Sequence, residues 1–163
     1  MTPAEFVNLA RQSAPDLPDA SVLNLLHDEA FRYSVCEELN NSVGPADRAL
    51  ARYILGLDIQ SHGGGDWGMS DYIRLSAFLL YKIANVEDVC LLWEAKRANF
   101  DTFCGLDIQL LVGAGVDNTL AYLRDVGDED SLAAAKYIED CRKTGDFKYI
   151  HKYAEEWNRY FSN

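Results

Sequence analysis

Gly56-Leu57-Asp58-Ile59-Gln60 returns unchanged, 49 residues later, as Gly105-Leu106-Asp107-Ile108-Gln109. Self-similarity at a fixed spacing of this size is the mark of repeated supersecondary units, and it restricts the fold before any single residue is weighed. Each copy runs toward a glycine-rich break, Gly63-Gly64-Gly65 after the first and Gly113-Ala114-Gly115 after the second. Repetition constrains architecture, and carries no chemistry of its own.

Apolar residues recur at helical spacing through most of the chain, and no run of strand alternation lies between turn signals. Thr2-Pro3-Ala4-Glu5 is a capping-box start with proline at the first helical position. Phe6, Leu9 and Ala10 then form a short apolar face. A second helix is expected from Pro18 to about Leu39, with Val22, Leu25, Leu26, Ala30 and Tyr33 inward. A third spans about Pro45–Gln60, with Leu50, Tyr53, Ile54 and Leu57 on one side and the first pentapeptide near its end. Ser70 starts a fourth, apolar almost all round (Ile73, Leu75, Ala77, Phe78, Leu79, Leu80), which should be central. A fifth from Asn85–Asp88 turns Val89, Leu92 and Trp93 inward and Glu94, Lys96 and Arg97 outward. The sixth, from about Asp101, carries Phe103, Leu106, Leu110 and Leu111 as its stripe and holds the second pentapeptide. Asp117 opens a seventh, Asp128-Glu129-Asp130 an eighth, and Phe147 to Phe161 form a ninth.

The expected fold is therefore all-α, with about nine helices in one domain. Residues 1–44 would be N-terminal capping helices, 45–101 the first three-helix unit, 102–146 the second, shorter unit, and 147–163 a C-terminal capping helix. Stacked units of this kind bury each other's apolar faces and make an α-solenoid. In length and helix count the unit resembles the armadillo and HEAT repeat class, a likeness of architecture that implies no function.

Charge narrows the partners. The chain carries 26 acidic and 15 basic side chains, a formal net charge of −11. Phosphate binding needs clustered Lys and Arg, and none is clustered, so nucleic acid and anionic membrane are disfavoured. No stretch approaches the uninterrupted apolar length of a bilayer span. Met1-Thr2-Pro3-Ala4-Glu5 lacks a basic segment followed by an apolar run, so no signal peptide is expected and the cytoplasm is the expected compartment. Cys36, Cys90, Cys104 and Cys141 lie far apart and read as reduced, mostly buried thiols.

Catalytic signatures are thin. His62-Gly63-Gly64-Gly65 looks like the oxyanion loop of some esterases, but Gly68-Met69-Ser70-Asp71-Tyr72 lacks the second glycine of a nucleophile elbow. No Gly-Lys-Ser or Gly-Lys-Thr follows to make a phosphate cradle. His27, His62 and His151 have no second ligand at metal spacing, so no cofactor and no metal are expected. His62 would serve as a base if Asp58, one turn earlier, oriented its ring. Asp58 and Gln60, like Asp107 and Gln109, fit a structural job done once per unit, bonding the backbone of an adjoining turn or helix start.

The expected function is a non-enzymatic interaction module that presents an acidic helical face to a basic protein. A bacterial-type immunity protein or antitoxin occluding a cationic toxin is its concrete form. Asp66 and Trp67 in the glycine-rich turn, and the acidic helix starts Glu87, Asp88, Asp128, Glu129 and Asp130, are the expected partner contacts. The alternative is a small helical enzyme or ligand-binding domain with His62, Asp58 and Asp66 around the turn 61–68.

Overall fold

The computed structural model describes residues 1–63 and 68–162. Within them the chain is all helical: ten α-helices joined by short turns and four 3-10 segments, with no strand.

Helix α1 (Pro3–Ser13) starts on the expected capping box, Thr2 Oγ1 accepting from the Glu5 N–H at 3.2 Å and Glu5 Oε2 accepting from the Thr2 N–H at 2.7 Å. It buries Phe6, Val7 and Ala10. The long second helix is not continuous. A short α2 (Ala20–Leu23) and a 3-10 turn lead to Asp28, whose carboxylate caps α3 (Glu29–Asn40) by accepting from the Phe31 N–H at 2.9 Å. That restart changes the phase of the stripe. Arg32, Val35, Cys36 and Leu39 face the core, whereas Leu25 is 40% exposed and Ala30 faces solvent.

Helix α4 (Arg48–Gly63) carries the first pentapeptide in its last three turns and buries Leu50, Ala51, Ile54 and Leu55. Helix α5 (Asp71–Ile83) is the central element expected from its all-round apolarity, with Ile73, Leu75, Ala77, Phe78, Leu79 and Leu80 essentially inaccessible. It packs against α3, α4 and the later helices. Helix α6 (Val89–Lys96) buries Val89, Leu92 and Trp93, as its periodicity requires.

Lys96 does not point outward. It is 3% exposed, and its ammonium donates to the carbonyls of Phe103 and Leu106, both at 2.6 Å. Those carbonyls close α7 (Phe100–Gly105), which begins on a reciprocal Asn99–Thr102 capping box. The expected sixth helix therefore stops inside the second pentapeptide. Leu106 and Asp107 are extended, and Ile108–Val112 forms a 3-10 turn. Gly113 then lies so close to α5 that a Cβ would collide with the Tyr81 carbonyl, so only glycine fits.

Helices α8 (Val116–Val126) and α9 (Glu129–Thr144) pair as a hairpin around Gly127, whose φ of 70° suits glycine. Helix α10 (Ile150–Phe161) folds back onto α5 through aromatic rings: Tyr153 meets Tyr81 at 5.1 Å and Phe161 meets Phe78 at 5.9 Å between centroids. No helix among the described residues is long and apolar enough to cross a membrane. All four cysteines are free, but only Cys36 is buried; Cys90 and Cys104 are exposed, contrary to the expectation of mostly buried thiols.

Candidate functional site

In the first pentapeptide, Asp58 is 1% exposed. Its Oδ1 accepts from Arg32 Nε at 2.8 Å and its Oδ2 from the Ser76 hydroxyl at 2.7 Å. Arg32, itself buried, also donates to the Leu26 carbonyl at 2.7 Å. Burial raises the Asp58 carboxyl pKa, opposed by the Ser76 hydrogen bond and by Arg32. The carboxylate therefore ties three helices together and bonds no backbone, a different structural job from the one its repetition suggested. It does not orient His62 either. The His62 ring bonds the Asp58 backbone carbonyl through Nδ1 at 2.7 Å and the Ser70 hydroxyl through Nε2 at 3.0 Å. A carbonyl only accepts, so in the neutral ring Nδ1 carries the proton and Nε2 accepts from Ser70.

Ser70 occupies the N-cap position of α5, yet its side chain makes no capping bond. A cavity of about 310 Å³ opens over this cluster, lined by Arg32, Asp58, Ser61, His62, Ser70 and Tyr72 among others. Asn99 Nδ2 donates to the carbonyls of His62 (3.2 Å) and Gly68 (3.4 Å), one on each side of residues 64–67. Asp66 and Trp67, expected as contacts, lie outside the described residues.

The second pentapeptide builds something else. Asp107 is half-buried, and its Oδ2 accepts from the Tyr153 hydroxyl at 3.0 Å and the Trp157 indole N–H at 3.2 Å. Burial, and then the Asp107 charge, pushes the Tyr153 hydroxyl pKa well above its ordinary value. Gln109 does the backbone work expected of it, donating to the Asp146 carbonyl at 2.6 Å. A recess of about 410 Å³ lies over this group, lined by Asp107, Gln109, Tyr153, Glu156, Trp157 and Tyr160.

The acidic helix starts divide. Asp88 is fully buried and held by Arg48 and Arg52, so it is a core anchor and not an exposed contact. Glu87 beside it is exposed and pairs with Arg48 at 2.9 Å. These two arginines face a larger cavity, about 830 Å³, between α4 and the turn after α1, but their charge is committed to Glu87 and Asp88. The α8–α9 corner is open. Every residue from Arg124 to Asp130 is exposed; the stretch holds the carboxylates of Asp125, Asp128, Glu129 and Asp130, the Arg124 guanidinium and Val126 (41% exposed), with Leu132 (48%) following in the first turn of α9. Asp128 also caps α9 by accepting from the Ser131 N–H at 2.7 Å, a bond that lowers its pKa. Asp130 pairs with Arg97 at 3.0 Å.

Sequence reasoning overlooked Arg32, Ser76, Tyr153 and Tyr160, and weighed Ser70 only as a helix start and as part of an incomplete nucleophile elbow. Arg32 was signalled by its phase, in register with Val35 and Leu39. Tyr153, Trp157 and Tyr160 recur at i, i+4 and i+7 along α10. Ser76 leaves no trace in the pattern. Comparison with protein-family models, with curated proteins and with solved structures finds no match to this chain.

Proposed function

We propose that the chain is a non-enzymatic interaction module that binds a basic protein through an acidic helical surface, an immunity protein or antitoxin being the concrete case. The observation that carries this reading is the α8–α9 corner, where four exposed carboxylates share one short stretch of chain with exposed Val126 and Leu132. Exposed apolar side chains among mostly acidic neighbours combine an anchor that desolvates on contact with a field that steers an oppositely charged partner. The net charge of −11 extends that field beyond the corner. Helices α1 and α3, α4 and α5, and α8 and α9 pack in succession along the chain. We read that order as a short, irregular solenoid-type stack whose second unit is shortened.

The test places a photo-crosslinking residue at Leu132 in the chain expressed in its native host. A single basic protein should be captured, released from the uncrosslinked chain by high salt, and lost from the combined variant D125N/D128N/E129Q/D130N. Asparagine at 128 keeps a capping side chain, so folding is preserved. Equal capture by the neutralised variant, or capture of an acidic protein, overturns the reading.

A second reading, a small helical enzyme or ligand-binding domain, is favoured by the Ser70–His62–carbonyl chain under its own cavity. That order of hydroxyl, imidazole and orienting acceptor is what nucleophilic catalysis by serine requires. Labelling of Ser70 by a fluorophosphonate, lost in His62→Ala, supports it. Absence of labelling in the parent chain removes it.

A further inference from the structure

Among the described residues three aspartates are buried, and each meets an arginine: Asp47 with Arg11 at 2.8 Å, Asp58 with Arg32 at 2.8 Å, and Asp88 with Arg48 and Arg52. Asp107 breaks the pattern. It is drawn partly out of water at the floor of the recess beside α10, yet its two hydrogen-bond donors, Tyr153 and Trp157, are both neutral. No direct ion pair to it forms among the described residues: the buried Lys96 ammonium, held on the neighbouring Leu106 carbonyl, acts on Asp107 only through space. A partly desolvated carboxylate that has neutral hydrogen-bond donors and no direct ion pair gains from a cation that reaches it from outside.

The walls of the recess suit such a cation. Tyr153, Trp157 and Tyr160 stand on successive turns of one face of α10. Their rings are steeply inclined to one another, 65° between Tyr153 and Trp157 at 6.2 Å and 77° between Trp157 and Tyr160 at 5.1 Å. Rings inclined this way turn their π faces in different directions, and although Phe161 stacks on Trp157 at 5.5 Å, a π face left open at the recess attracts a cation. Exposed Glu156 adds a second carboxylate at the rim. Arg74, which is not part of the recess lining, already lies over the Trp157 ring at 5.1 Å, an internal instance of the same contact.

We propose that this recess receives an arginine side chain of the basic partner, its guanidinium stacked on the α10 aromatic rings and forked onto Asp107 and Glu156. Arginine fits better than lysine because its planar fork matches carboxylates pairwise and stacks on aromatic faces, whereas an ammonium is a compact, strongly hydrated point charge. The inference rests on the reading of the chain as a binder of a basic protein, but it concerns a different surface. The acidic corner sits at the start of α9, whereas Gln109 ties the recess to Asp146, just past the end of that 16-residue helix. At 1.5 Å per residue the two lie roughly 24 Å apart along α9.

The test follows the Trp157 indole N–H by NMR while a capped tetra-arginine peptide is added to the full chain. A saturable shift is expected. It should be absent with tetra-citrulline, which keeps the shape without the charge, and weaker with tetra-lysine. Asp107→Asn retains an acceptor oxygen for Tyr153 and Trp157 and should weaken binding about tenfold or more, with Glu156→Gln weakening it less. The parent-like spectrum of D107N checks that the fold is intact. An unmoved indole resonance, an equal response to tetra-citrulline, stronger binding of tetra-lysine, or full affinity in D107N each overturns the proposal. The variant neutralised at the α8–α9 corner should keep its tetra-arginine titration at this indole. Loss of partner capture by that variant alone then speaks to the proposed function, and loss of the indole shift alone speaks to the recess.

Discussion

Gly56–Gln60 lies inside a helix with its aspartate locked to a buried arginine, whereas Gly105–Gln109 straddles a helix end with its aspartate under tyrosine and tryptophan. Five identical residues thus adopt two backbones and reach two environments. The first copy follows two turns of established helix in α4, which simply propagates through it. The second follows only five residues of α7, and Lys96 takes the carbonyls of Phe103 and Leu106 that would otherwise carry the helix on. Local sequence sets what a segment can do. The neighbours decide which option is used.

The largest separation between the copies should be thermodynamic. Asp58→Asn leaves the Arg32 charge buried without its partner and should cost about 3–5 kcal/mol, read from urea unfolding. Asp107→Asn keeps hydrogen-bond acceptance and removes no ion pair, so its cost should stay below about 1 kcal/mol. Equal costs would erase the distinction between the two sites.

Next in size is the backbone approach that follows the second copy. Gly113→Ala drives a Cβ into the Tyr81 carbonyl, and displacing the 3-10 turn from α5 should cost about 1–3 kcal/mol. Gly63, which follows the first copy, has open space about it, and no comparable collision is available there.

A smaller effect should differ in sign. Gly56→Ala fills open space in a helix interior and should stabilise by about 0.5–1 kcal/mol through helix propensity. The same change at Gly105 brings a Cβ to 2.8 Å from Met69 Cγ, and should give no gain or a loss. Thermal unfolding of the two single variants compares them directly, and equal gains would mean that the two sites are packed alike.

Thiol labelling offers the finest probe. Cys104, which adjoins the second copy, and Cys90 should react in the folded chain, with half-buried Cys141 slower. Cys36, whose pKa burial raises, should react only on unfolding. Protection of Cys104 would mean that α7 is covered as deeply as α4.

Much of the fold was legible. The capping box at Thr2, the all-round apolarity of α5 and the inward face of α6 are local patterns that packing left unchanged. Two of the readings that failed show the physical reasons most plainly. Asp28 suits a helix surface and a cap equally well in a sequence, and its capping of α3 moved the stripe onto Arg32, Val35 and Leu39. Lys96 reads as a surface charge because lysine is seldom buried; the carbonyls at the end of α7, with the Phe103 and Tyr137 rings beside the ammonium, explain why it is. The candidate sites were less legible because each depends on residues far apart in sequence. Asp58 meets Arg32 and Ser76 from other helices, and Asp107 meets Tyr153 and Trp157 from the last one. The pentapeptide marked both aspartates but could not distinguish their partners. The α8–α9 corner was visible as Asp128-Glu129-Asp130, whereas burial of Asp88 depended on Arg48 and Arg52 some 40 residues earlier.

The most direct measurement compares Asp58→Asn and Asp107→Asn in parallel, each for its urea midpoint and for tetra-arginine binding at the Trp157 indole. A crossed result is expected: the first variant loses stability and, while folded, keeps binding, whereas the second keeps stability and loses binding. If both variants lose stability alone, or if Asp107→Asn binds as the parent does, the two aspartates do the same structural work and the recess beside α10 is not a receptor for a cation.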